Sequence, residues 1–168
     1  VTGWTQMFTT DIGISQVIGF KKTAVGDEFG STVTLDPAGS PKLTAHVFKV
    51  TGWGKDLTTH VVAGTTATGA DTTPEPPDVT HGFTTDVLSI TIVGVQANAP
   101  PTDGPDGYST PSSAVTPGAG QDYTIITAWL VTSGDPIAPT SYTIASNVWG
   151  AQTVVVKQLS GGGGGGGA

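Results

Sequence analysis

The side chains with chemical potential are few and far apart. The three histidines, His46, His60 and His81, show neither HxH nor HExxH spacing. Three must converge in space to make a zinc site, so the spacing gives no metal site by itself. The Asp103-Gly-Pro-Asp106-Gly run offers carboxylate oxygens in a turn, but calcium takes six to eight oxygen ligands. It reads as a turn. Glycosidase chemistry needs two carboxyls across a cleft. The candidates Asp27-Glu28 and Asp135 each follow a glycine in a comparable turn, which points to structure. No nucleophile elbow and no phosphate-binding loop occurs. The expectation is a chain that is not an enzyme, with no catalytic residue, no cofactor and no metal.

The aromatic residues are the better candidates for a surface. Trp129 and Trp149 lie in apolar runs and are expected in the core, where large aromatics dominate burial. Trp4 and Trp53 stand beside glycines in turns and are the candidate surface or interface aromatics. Such a residue can stack on a sugar, cover a sheet edge or fill an interface pocket.

The elements that position these residues follow from composition. The chain has 168 residues, with 25 Gly, 12 Pro, 29 Thr and 18 Val. Thr and Val are stiff at χ1 and suit a pleated surface, whereas Gly and Pro break helices and make turns. Period-2 alternation marks strands at Phe29–Leu35, at Asp86–Val93 with Leu88, Ile90 and Ile92 on one face, and at Thr140–Ile144. Lys42–Val50 and Tyr123–Val131 are apolar on both faces, as in central strands, and Val154-Val155-Val156 is a buried strand. The fold class expected is all-β: a jelly-roll-like antiparallel β-sandwich occupying 1–160 as one domain.

An internal echo runs through the chain. Gly3-Trp4-Thr5 is matched by Gly107-Tyr108-Ser109, and Val17-Ile18-Gly19-Phe20 by Ile125-Ile126-Thr127-Ala128. Gly26-Asp27 is matched by Gly134-Asp135. Half-repeats over 3–50 and 107–157, related by a pseudo-twofold internal duplication, would explain it; a shared Thr-, Val- and Gly-rich composition would also produce such matches. On the duplication, a lead-in like Pro74–Ala97 is expected ahead of Val1. A polyglycine tail, 161–168, closes the chain, and such a run is a flexible coil unless neighbours enclose it.

Charge narrows the partners. The net charge is −7, with six Lys and no Arg. Phosphate neutralisation rests on Lys and Arg, so nucleic acid and anionic membrane surfaces are not expected partners. No run approaches the length of a membrane-spanning helix. Without cysteine there is neither a disulfide nor a thiolate site.

The series Gly3-Trp4-Thr5, Lys21-Lys22 to Glu28, Pro76-Pro77, Asp86-Val87-Leu88, Gly107-Tyr108-Ser109 and Trp149-Gly150-Ala151-Gln152-Thr153-Val154 resembles a class of tailed-bacteriophage virion proteins. The resemblance implies a structural role in head decoration, fibre or tail, and supplies no catalytic residue. It implies location in the virion and contacts with other virion proteins. Self-association into a symmetric oligomer, a trimer first, is expected with it. The alternative from the residues is a secreted, extracellular carbohydrate-binding or adhesive module with a glycan as partner.

Overall fold

The computed structural model describes residues 3–24, 43–53, 56–116, 122–145 and 147–159. Among these there are eight strands and no helix: β1 (Thr5–Ile12), β2 (Ser15–Lys21), β3 (Val61–Ala63), β4 (Ala67–Gly69), β5 (Val87–Val95), β6 (Ser112–Thr116), β7 (Tyr123–Thr132) and β8 (Trp149–Lys157). β1 and β2 form a two-stranded antiparallel sheet. The others form a six-stranded sheet of order β3-β8-β5-β7-β6, with β4 also on β8. All the pairings are antiparallel. This is an all-β chain, consistent with a β-sandwich. Jelly-roll connectivity is not shown by the described residues.

β5 is central because it is fit for burial on both sides. It pairs with β7 and β8 over its whole length. Val87, Ser89, Thr91, Val93 and Val95 alternate onto one face, all at 0 % exposure. That face meets irregular chain rather than a second sheet. Tyr142, Ile144, Ala99 and Tyr108 pack against Val93, Val95, Ile126 and Trp149, and Val79, Ile137 and Phe83 against Val87 and Val155. The covering segments are tied to one another by backbone bonds: Tyr142 N–H donates to Pro74 O (2.8 Å), Ile144 N–H to Thr72 O (3.0 Å), and Val79 and Ile137 exchange a pair (2.9 Å each). Two hydroxyls on this face are satisfied from the covering layer. Tyr108 reaches Ser89 Oγ at 2.7 Å and Tyr142 reaches Thr91 Oγ1 at 2.6 Å. Buried polar groups need such partners.

The opposite face of β5 carries Leu88, Ile90 and Ile92, the set that the alternation placed together, and Gly94 beyond them. The β1–β2 hairpin covers the Ile92–Gly94 end, packing Phe8, Ile12 and Val17 against Val154 and Ile92. Its two-residue loop begins with Gly13 at φ +64°, the left-handed first position that a type II′ hairpin turn uses.

Several sequence expectations are corrected. Residues 43–50 form no strand; the run is apolar on both sides but is not enclosed by neighbours. Residues 140–144 are irregular apart from the single bridge Asp103–Thr143, although Tyr142 and Ile144 do point inward at 0 % and 4 % exposure. Phe29–Leu35, Asp27-Glu28 and the 161–168 tail lie outside the described residues.

The two segments of the internal echo share two local features and differ in others. Gly3 and Gly107 share left-handed φ values of +76° and +78°, and the β1–β2 pair has an antiparallel counterpart in β6–β7. The facing does not follow. Ile18 is 43 % exposed where its counterpart Ile126 is at 0 %, and 43–50 runs irregularly where 151–157 belongs to β8.

Candidate interaction cleft

The hairpin leaves the Leu88–Ile90 end of the second face to a different neighbour. Trp129 on β7 lies directly opposite Ile90, and Val131 opposite Leu88, so these four side chains form one apolar strip. Segment 43–53 runs over it. His46 Nδ1 is 2.8 Å from Thr127 Oγ1, which fixes the segment to β7. Trp53 bridges to Gln158 just beyond β8. Between the segment and the sheet lies a cleft of about 250 Å³, lined by Phe48, Lys49, Val50, Thr51, Trp53, Leu88, Ile90 and Trp129.

The cleft is open and aromatic. Trp129 is 50 % exposed and Phe48 43 %, with Val47, Val50 and Val131 also exposed beside them. Lys49 is the charged member of the lining. Burial at the cleft margin holds the His46 imidazole below its ordinary pKa, because desolvation disfavours the cation. Such a set can stack on a planar or ring-shaped partner and bury apolar surface. The lining holds no carboxylate pair to move a proton.

Of the two turn tryptophans, Trp53 lines the cleft and Trp4, half-buried at the start of β1, does not. Trp149 is in the core as expected, at 5 % exposure. It lies over Gly69, and its Nε1–H donates to Asp71 Oδ1 at 3.0 Å. Trp129 is the correction. Its strand is apolar on both sides, but its face of β7 lies beyond the reach of the hairpin. Phe48 to Thr51 were missed as site residues because an apolar run reads as buried whether or not anything covers it.

The remaining candidates serve local structure. His60 Nδ1 accepts from Asp56 N–H at 3.3 Å, and His81 is bound into the turn at 134–136. The Asp103–Asp106 turn is pinned to 140–143: Thr143 N–H donates to Asp103 O at 3.2 Å and Asp106 N–H to Thr140 Oγ1 at 2.7 Å. Asp135 accepts the backbone N–H groups of His81 and Gly82. Among the described residues, no group of three or more His, Asp or Glu side chains is placed to hold a metal ion.

Comparison with protein-family models, with curated proteins and with solved structures finds no match to this chain.

Proposed function

We propose that this chain is a non-enzymatic structural protein of a bacteriophage particle, a head-decoration or fibre and tail component acting through subunit contacts. The observation that carries the contact part is the exposed apolar surface at the cleft, where Phe48, Val50 and Trp129 line it and Val47 and Val131 are also exposed. Contiguous exposed apolar surface of this kind marks interaction sites, and aromatic residues are enriched at the centres of interfaces. The motif series from Gly3 to Val154 supports the virion part, and with it a closed homo-oligomer, a trimer first. Sedimentation at micromolar concentration, together with electron microscopy of particles carrying the chain, tests both parts. A symmetric oligomer or particle-bound density is expected. A monomer at all concentrations that joins no particle would overturn the reading.

A second reading has its own observation. Trp53 and Trp129 line the same open cleft with Phe48, and Lys49 and Thr51 supply polar groups at its rim. That supports an extracellular glycan-binding or adhesive module, since aromatic faces stack on sugar rings and polar groups orient them. Here Trp53→Ala and Trp129→Ala would each abolish binding on a glycan array without altering the fold. Retention of binding in both variants, or no binding by the parent chain, would remove this reading.

A further inference from the structure

The His81 imidazole is enclosed, with its side chain at 0 % exposure, and its two ring nitrogens face partners of opposite kind. Nε2 lies 2.9 Å from Gly134 O. A carbonyl only accepts, so Nε2 carries the hydrogen. Nδ1 lies 3.0 Å from Phe83 N. An amide N–H only donates, so Nδ1 carries the lone pair. The surroundings therefore select one neutral tautomer.

A proton from solvent has one place to go, which is Nδ1. There it meets the Phe83 N–H head-on, donor against donor, and the amide loses its acceptor. The charged groups facing the ring work on different sides. Asp135 Oδ1 is 3.8 Å from Nε2, and its carboxylate also accepts His81 N–H at 3.0 Å and Gly82 N–H at 2.9 Å. It attracts an imidazolium and keeps residues 81 and 82 in place, but it is not the acceptor at Nδ1. On the other side the Phe83 ring stacks on the imidazole at 5.1 Å between centroids, and Lys157 Nζ sits 5.5 Å from that ring's centroid.

We propose that His81 is an acid-sensitive clasp: neutral, it holds Phe83 against the sheet, and protonated at Nδ1 it releases Phe83 while Asp135 retains residues 81 and 82. Phe83 packs on the cluster of Val79, Val87, Ile137 and Val155. Its release uncovers the start of β5 without undoing the Val79–Ile137 pair beside it.

Nitrogen NMR of the full chain through a pH titration, with amide exchange read alongside, tests this. The expected results are an Nε2–H tautomer at pH 8 and a fall of about tenfold in Phe83 amide protection as His81 protonates, with Ile137 unchanged. An Nδ1–H tautomer, or Phe83 protection that stays level through the titration, would overturn the clasp. His81→Asn keeps an acceptor for the Phe83 amide and cannot titrate, so its Phe83 protection should be independent of pH. Persisting pH dependence there would also overturn it. The measurement on the parent chain stands alone if that variant does not fold.

Discussion

Gly94 and Gly150 are directly paired across β5 and β8, and the β1–β2 hairpin rests on both. A Cβ at Gly94 would lie 2.0 Å from Val17 Cγ2, and one at Gly150 would lie 2.5 Å from Ile12 Cγ2 and 2.7 Å from Thr10 Cγ2. Neither glycine has a left-handed φ. Close approach of the hairpin, not backbone conformation, is what excludes a side chain here.

Gly94→Ala and Gly150→Ala should each destabilise the fold by about 1–3 kcal/mol, the usual range for overpacking. The double variant should lose less than the sum, because one lifted hairpin relieves both contacts. Gly134→Ala is the control. Its Cβ would meet nothing closer than 3.7 Å, so its denaturation midpoint should stay close to that of the parent. Equal losses in all three variants would contradict the seating of the hairpin on this glycine pair.

The central strands were legible in the sequence because β5, β7 and β8 are apolar enough for burial whatever lies above them. Val87–Val95 and Tyr123–Thr132 match the patterned runs closely. The more buried face of β5 was not legible. It carries Ser89 and Thr91 at 0 % exposure, and their partners Tyr108 and Tyr142 come from distant irregular segments that no local pattern announces. The cleft was half legible. Trp53 was marked by its turn, whereas the exposure of Trp129 depends on where the hairpin ends, a tertiary fact.

The buried phenol of Tyr142 makes an alkaline prediction. Burial, the largest cause, pushes its pKa up, only partly offset by the hydrogen bond with Thr91. A group whose folded pKa lies above its unfolded value stabilises fully below the unfolded value, near 10 for tyrosine, and loses that contribution as pH rises toward the folded one. Stability should therefore decline above about pH 10. Tyr142→Phe should flatten that limb while costing about 1 kcal/mol at neutral pH for the lost Thr91 bond. An unchanged alkaline limb in the variant would reject the assignment.

Two aspartates make the acid prediction. Asp71 is held below the ordinary carboxylate range first by the Thr73 backbone N–H and then by Trp149 Nε1–H. Asp135 is held there first by the His81 N–H and then by the Gly82 N–H. For a lowered carboxylate the contribution is present above the unfolded pKa, near 4, and is lost as pH falls through the folded one. Stability should thus drop on acidification below about pH 4, beyond the range in which imidazole titrates. Asp71→Asn should reduce that drop and leave the alkaline limb alone. Thermal melts between pH 2 and 5 provide the check.

Trp129 and Trp149 are the same residue type on β7 and β8, the two strands that flank β5, and they should respond oppositely to truncation. Trp149 is 5 % exposed and donates to Asp71, so Trp149→Ala removes a filled core site and should destabilise by about 3–5 kcal/mol. Trp129 is 50 % exposed at the mouth of the cleft, and half the burial of a large side chain corresponds to roughly 1–1.5 kcal/mol. If the strip around Trp129 is the contact between subunits, Trp129→Ala should weaken association by at least about tenfold, as loss of a central aromatic anchor does. Its melting temperature, measured on the dissociated chain, should move little. Denaturant melts at low concentration and sedimentation across a dilution series separate the two effects. A Trp129→Ala chain that associates like the parent would exclude the strip as the contact surface. One that melts as early as Trp149→Ala would mean that Trp129 is a packing residue.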